Sequence, residues 1–264
     1  MPVFLSFSSG SAGNCYYLGS GGKGLVIDAG VSLRRMKKAL SQHGLDFDSF
    51  SSILITHDHL DHIRNLGSYC KKLCKPVFAT PVLHRSLARH SFTSEFIGPC
   101  RRNLEEGVWN EIDGFRVRYF VVPHDATQTV GFAIMADGYK FVIMTDLGRM
   151  TEEALSFARG ADTVVIESNY DRGMLMGGSY PEDLKKRISQ GNGHLSNAEC
   201  AEAIRSFWHP GLRNIFLCHL SENNNTPELA YGSALAALRS LGVPPGAVRL
   251  EALCRRDASP LIEL

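Results

Sequence analysis

The run Thr56-His57-Asp58-His59-Leu60-Asp61-His62 constrains this chain more than any other segment. It follows the apolar stretch Ser52-Ile53-Leu54-Ile55, so it sits where a short strand ends. Three imidazoles and a carboxylate this close together have the composition of a ligand set shared by two divalent metal ions. A lone histidine would read as a packed or solvated residue; four candidate ligands in one run do not. Alternate residues leaving a strand point the same way, so His57 and His59 can face one ion. Asp61 and His62 open the next segment and can turn toward a second.

The rest of the chain repeats a strand-then-helix rhythm. Apolar runs at Val3 to Phe7, Cys15 to Leu18 and Gly24 to Ile27 predict strands joined by tight turns, the third ending at Asp28. A basic helix follows Ser32 to about Gln42; the histidine run leads into a helix from about Leu60 to Leu73, and a strand at Pro76 to Ala79. Residues 81–91 read as helix and 92–110 as irregular. Strands are expected at Phe115 to Val122, Gly131 to Met135, Lys140 to Met144, Thr163 to Ile166, Asn214 to Leu217 and Ala247 to Leu250. Helices are expected near 151–158, 181–189, 197–207 and 227–240. Strand ends at His57, His124, Asp146 and His219 each offer a metal-competent side chain. If these strands are neighbours facing one cleft, four distant segments converge at one edge.

At 264 residues, with no linker-like segment and no repeat of fixed period, the chain reads as a single domain over 1–264. Apolar content of 44% and charged content of 21% suit a globular enzyme. The start, Met1-Pro2-Val3-Phe4-Leu5-Ser6, lacks a basic region and a signal-length apolar segment, and no stretch is long enough to cross a bilayer; a cytoplasmic location without membrane attachment is expected. Seven cysteines without a Cys-x-x-Cys pair read as reduced and mostly buried thiols; Cys70 and Cys74, one helical turn apart, read as core packing. A formal net charge of +1 gives no global sign of a polyanionic partner and identifies no protein partner. Basic clusters at Arg34-Arg35 with Lys37-Lys38, Lys71-Lys72, Arg101-Arg102, Lys185-Lys186-Arg187 and Arg255-Arg256 read individually as solvated helix faces. A groove reaching the metal rim and lined by Arg34, Lys37 or Lys185 would point to a duplex.

His57-x-His59-x-Asp61-His62, followed by His124, Asp146 and His219 on separate strand ends, resembles the metallo-β-lactamase superfamily over nearly the whole chain. The resemblance implies an α/β fold, an αβ/βα four-layer sandwich of two mixed β-sheets flanked by helices, with metals at one rim. It implies that His57, His59 and His124 hold one ion, that Asp61, His62 and His219 hold another, and that Asp146 bridges them. Asp28 matches the superfamily's early aspartate, which orients the histidine loop and is not a ligand. Three further segments are similar to the YycJ/WalJ-type group of metal-dependent exonucleases: Ser8-Ser9-Gly10-Ser11-Ala12-Gly13-Asn14-Cys15-Tyr16, Gly193-His194-Leu195-Ser196-Asn197, and His219-Leu220-Ser221-Glu222-Asn223-Asn224. Tyr180-Pro181 with Leu184-Lys185 fits the same group. One departure lies in Glu167-Ser168-Asn169-Tyr170-Asp171, where the resemblance implies a histidine at the position of Tyr170.

The activity implied is phosphodiester hydrolysis on nucleic acid, DNA more than RNA, as a 5′-to-3′ exonuclease using a metal-bridging hydroxide and two divalent ions. Zn²⁺ or Mn²⁺ suits the ligand set, with Fe²⁺ a further option. His194 is the candidate that protonates the leaving group or clamps the phosphate, and Asp61 counts with it in the catalytic set. Ser11, Asn14 and Asn169 join Asp28 as candidates for substrate contact or ligand support. Met174 and Met176, beside glycines, fit a mobile flap only weakly. The competing readings are a tRNA 3′-processing endonuclease or small cyclic phosphodiesterase, then a thioester or lactam hydrolase, and last a non-catalytic binding module.

Overall fold

Short β-branched and aromatic runs separated by glycine turns build two seven-stranded sheets in the computed structural model, which describes residues 1–264. The first sheet contains β1 (Val3–Ser8), β2 (Cys15–Ser20), β3 (Lys23–Ile27), β4 (Ser52–Leu54), β5 (Val77–Ala79) and β6 (Arg101–Asn103) in sequential order, with β14 (Ile262–Glu263) beside β1. The second runs from β7 (Asn110–Ile112) through β8 (Phe115–Val122), β9 (Thr129–Ala136), β10 (Tyr139–Met144), β11 (Thr163–Glu167) and β12 (Asn214–Cys218) to β13 (Arg249–Ala252). Both sheets are mixed. Each has an antiparallel half of hairpins and a parallel half whose crossovers carry helices.

Residues alternate across the second sheet with the strand period. Phe141, Ile143, Val165, Phe216 and Cys218 face the first sheet, while Val142, Met144, Val164, Ile166, Ile215 and Leu217 pack under the helices behind. Phe4, with no exposed surface, meets Phe141 at 5.4 Å and Phe216 at 5.2 Å between ring centres, joining the two sheets. Such a buried side chain contributes about 1.5–3 kcal/mol. The outer layer on the first sheet includes α1 (Leu33–Ser41), α2 (Leu60–Ile63), α3 (Leu66–Leu73), α4 (Pro81–Leu87) and α5 (Ile97–Cys100), through residues such as Met36, Leu40 and Tyr69. Behind the second sheet lie α6 (Glu152–Ala158), α9 (Asn197–Phe207) and α10 (Pro227–Ser240), with α7 (Arg172–Gly177) and α8 (Glu182–Ser189) in the connection after β11. This is the αβ/βα sandwich expected from the sequence. No helix is long and apolar enough to cross a membrane.

Register decides what meets at the rim. Ile27 pairs with Leu54, so Asp28 emerges beside the segment that delivers His57. Met144 pairs with Ile166 and Ile166 with Leu217, which brings the ends of β10, β11 and β12 to one edge. The β8–β9 connection carries His124 to the same edge, where the Gly148 amide donates to the Pro123 carbonyl at 2.7 Å.

Several local expectations change. The helix expected over 60–73 is broken at Arg64-Asn65, where the Asn65 side chain donates to the Gly30 carbonyl at 2.9 Å. The segment expected to be irregular, 92–110, contains α5 and the edge strand β6. The last long strand begins at Arg249 rather than Ala247. Met174 and Met176 lie on α7, capped by Asp171 and anchored by buried Leu175, not on a flap. Cys70 is buried as expected, but Cys74 is exposed, because it caps α3 in the left-handed conformation.

His84 gives a pH test that is independent of the rim. It is 1% exposed, its Nε2 donates to the Arg102 carbonyl at 2.8 Å, and its Nδ1 is buried without a partner. Burial pushes its pKa below the ordinary 6.5, so the folded protein resists a proton that the unfolded chain takes up. Stability is therefore lost as pH falls from 6.5 toward the folded value. Relative to a His84→Gln protein, the wild type should lose more denaturation midpoint in urea between neutral and mildly acid pH; parallel loss in the two would remove this assignment.

Candidate metal centre

The first sheet supplies a braced loop. Asp28 holds a left-handed backbone (φ 63°) at the end of β3, a conformation aspartate tolerates better than most residues. Its Oδ1 accepts from the Thr56 amide and its Oδ2 from the Thr56 hydroxyl, both at 2.8 Å, while His62 Nδ1 donates to Oδ2 at 2.7 Å. Asp28 thus fixes where the loop leaves β4 and how the His62 ring turns. Asn14 adds a second brace. Its Oδ1 accepts from the Gly10 amide at 2.8 Å, so its Nδ2 faces Asp61 Oδ2 at 3.1 Å and His62 Nε2 at 2.8 Å. Gly30 permits this packing, since a Cβ there would stand 1.9 Å from the Asp61 carbonyl oxygen.

The second sheet supplies the facing groups. His124 Nδ1 donates to the Gly193 carbonyl at 2.7 Å, which fixes the tautomer and leaves Nε2 as an acceptor. Gly193 is required because a Cβ would lie 2.1 Å from the Ile188 carbonyl oxygen. Asp146, 1% exposed, stands 3.1 Å from His62 Nε2 through Oδ2 and 3.2 Å from His219 Nδ1 through Oδ1. His219 follows β12 in a left-handed conformation (φ 53°), unusual for this residue type, which aims its ring across the sheet edge. Its Nε2 is 3.4 Å from Asp61 Oδ2.

Four groups of donor atoms result, each with its atoms within 4.8 Å of one another. One comprises His57, His59 and His124; one comprises Asp61, His62 and His219; His57, His62 and Asp146 lie between them; Asp146, Glu167, His194 and His219 form the last. Glu167 was not singled out from the sequence. Fully buried, it accepts through Oε1 from His194 Nδ1 at 2.7 Å and His219 Nδ1 at 2.9 Å, and through Oε2 from the Leu147 and Leu195 amides at 3.0 Å. Asp125 was missed as well: its Oδ1 is 3.5 Å from His124 Nε2, and its Oδ2 accepts from Arg187.

The donor set fits divalent cations. His57 Nε2 and Asp146 Oδ2 are buried with no hydrogen-bond partner, a costly arrangement unless a cation serves them. Burial alone would depress the His62 pKa, yet Asp146, Asp28 and Asp61 raise it to about 10. Burial works against ionised Asp146, and His219, His62 and His57 together still hold its carboxyl well below the usual range. The carboxylates that favour positive charge on these histidines would favour a divalent cation between the same groups.

A cleft of about 320 Å³ opens over this cluster, its walls including Ser11, Arg64, Asn169, Tyr180, Arg187 and His194. Ser11 is exposed on the wall; Asn169 is buried and donates to the His219 carbonyl at 2.8 Å, which supports that backbone. Asn14 does not line the cleft and acts through Asp61 and His62. Asp58 turns away to Ser86 and Thr127, tying the histidine loop to α4 and the β8–β9 connection. Tyr170 is 3% exposed and absent from the walls; its backbone pairs with Ser196. Lys185 is buried, with Nζ bonded to the Met176 carbonyl at 2.9 Å and Glu182 at 3.0 Å, so it lines no groove.

Residues 24–214 match the family described as the beta-lactamase superfamily domain. The exodeoxyribonuclease WalJ of Streptococcus pneumoniae is 32% identical over 224 residues, covering 85% of this chain and 83% of the relative. The exodeoxyribonuclease YycJ of Bacillus anthracis is 32% identical over 247 residues, 92% of this chain and 91% of the relative. Among solved structures, Zn²⁺-bound PqqB from Methylobacterium extorquens superposes with a TM-score of 0.72 at 17% identity, covering 98% of this chain and 99% of PqqB, which is a likeness of fold. The chain belongs to the metallo-β-lactamase superfamily, in the group that contains WalJ and YycJ.

Proposed function

We propose that this protein is a metal-dependent phosphodiesterase that degrades DNA as a 5′-to-3′ exonuclease, working in the cytoplasm as one domain over residues 1–264. The observation that carries the reading is the pairing of His194 with Glu167 beside a complete His/Asp donor set, in a chain 32% identical to two exodeoxyribonucleases. His57, His59 and His124 would hold one divalent ion, Asp61, His62 and His219 a second, with Asp146 shared; Zn²⁺ or Mn²⁺ suits these ligands, Fe²⁺ less readily. When bound, such ions polarise a phosphodiester oxygen and bring the pKa of water toward ~7.

The chain's own groups would do the rest. Glu167 raises the His194 pKa against the effect of burial, which favours the protonated form of the imidazole. With Nδ1 committed to Glu167, the Nε2 side of His194 serves the cleft as proton donor to the leaving oxygen or as a phosphate clamp. Arg64 on the cleft wall adds positive charge for the phosphate chain, and Asn14 and Asp28 hold the Asp61 and His62 side chains in place.

Incubation of metal-loaded protein with 5′-labelled duplex DNA, single-stranded DNA, precursor tRNA and bis-p-nitrophenyl phosphate tests the reading. Mononucleotide release from DNA is the expected result. Cleavage of precursor tRNA alone would sink it.

A further inference from the structure

We infer that a basic groove between α1 and α3, outside the metal cleft, is a second contact site for the phosphate backbone of a DNA duplex whose end lies in the cleft. The inference rests on the nuclease reading above. Arg34, Lys37 and Lys38 project from one side of α1, spaced three and four residues apart, and all three are exposed. With Lys72 of α3 they line a groove of about 610 Å³ that no acidic residue enters. Asp46 and Asp48 lie nearby in sequence, but the Asp46 carboxylate caps its own turn by accepting from the Asp48 and Ser49 amides.

The four cations Arg34, Lys37, Lys38 and Lys72 line one groove with no carboxylate partner, whereas Arg205 pairs with Glu202 at 2.8 Å, Arg256 with Glu222 at 2.7 Å and Lys185 with Glu182 at 3.0 Å. Neither α1 nor α3 contains an acidic residue, although α1 alone has four cations. Like charges at these spacings destabilise a helix, and cations in its first turn oppose the helix dipole. An electrostatic arrangement that disfavours the isolated helix becomes favourable when a polyanion lies along it.

The connection between the two helices links the groove to the cleft. Arg64, at the break between α2 and α3, lines the cleft wall, and Lys72, later on α3, lines the groove; both are exposed. A duplex entering end-on would meet one cation at its reacting end and the groove's cations farther along its length.

The test is a triple substitution of exposed residues, Lys37→Gln, Lys38→Gln and Lys72→Gln, in the metal-loaded protein, with Arg239→Gln, on the exposed side of α10, as a charge control. Binding to a phosphorothioate-capped duplex several turns long is measured between about 50 and 200 mM salt. The salt slope, d log K/d log[salt], should become shallower by about 2 to 3, close to one for each lysine lost, with affinity down at least ~10-fold at the low-salt end. Hydrolysis of bis-p-nitrophenyl phosphate and the control's slope should stay unchanged. If the wild type degrades DNA but the triple variant keeps the wild-type slope, the groove is not a DNA contact. Equal loss in the Arg239→Gln control would likewise overturn a local site. If the wild type hydrolyses the small diester yet neither binds nor degrades DNA, the nuclease reading itself fails.

Discussion

An Asp146→Ala protein is expected to lose bound metal and phosphodiester hydrolysis together, by more than the ~100-fold that follows removal of a group behind a ligand. The carboxylate is 1% exposed and sits 3.1 Å from His62 and 3.2 Å from His219, between the two histidine clusters. Alanine removes the carboxylate that faces His62 Nε2 and His219 Nδ1 together, and the other carboxylates are placed otherwise: Asp28 is committed to Thr56 and His62, Glu167 to His194 and His219, and Asp61 reaches His62 and His219 only through their Nε2 atoms, at 3.5 and 3.4 Å. Stability supplies a second readout. Metal at 100 times its Kd contributes about 2.7 kcal/mol by mass action, some 5–11 °C of midpoint for a chain of this size. Chelation should therefore lower the wild-type midpoint and leave that of Asp146→Ala unmoved. Full metal content with near-normal rates would show that Asp146 is not a shared ligand.

Legibility followed the reach of each interaction along the chain. The histidine run could be read because its spacing is local, and His124, Asp146 and His219 because each stands just beyond an apolar strand whose end is visible in the sequence. The alternation of Phe141, Ile143 and Phe216 with their neighbours was likewise a local pattern, which is why the longer strands were recognisable, whereas the short edge strands β6, β7 and β14, two or three residues each with little apolar sequence, were not. Glu167 was hidden: its partners lie 27 and 52 residues away, and only the parallel register of β11 with β10 and β12 brings them together. Lys185 stands in a basic run that reads as solvated, yet two acceptors on neighbouring turns bury it. The break at Arg64-Asn65 contains neither glycine nor proline; a tertiary bond from Asn65 to Gly30 decides it. Helix α7, rich in glycine, persists through the Asp171 cap and burial of Leu175, so packing outweighs weak propensity there.

Glu167→Gln should be nearly as damaging as loss of a ligand, although Glu167 is not among the residues assigned to hold metal. The carboxylate accepts four hydrogen bonds, two from imidazole nitrogens at Oε1 and two from backbone amides at Oε2. Glutamine offers one acceptor oxygen and one NH₂ group. If the NH₂ faces Leu147 and Leu195, donors oppose donors in a buried site, which costs about 1–3 kcal/mol for each unmade bond. If it faces the histidines, the rings must carry their protons on Nε2 to accept it at Nδ1. That tautomer leaves His219 Nε2, 3.4 Å from Asp61, unable to act as a ligand, and it reverses His194 as well. Metal affinity should fall ~10- to 100-fold and turnover at saturating metal by at least as much. His194→Ala separates the two effects: metal content should be retained while turnover falls by about two orders of magnitude or more. Glu167→Asp keeps the charge with a shorter reach and should recover part of the metal affinity. Metal titration followed by initial rates on DNA distinguishes these cases, and a Glu167→Gln protein with wild-type metal affinity and rate would mean that the histidine tautomers are set by some other group.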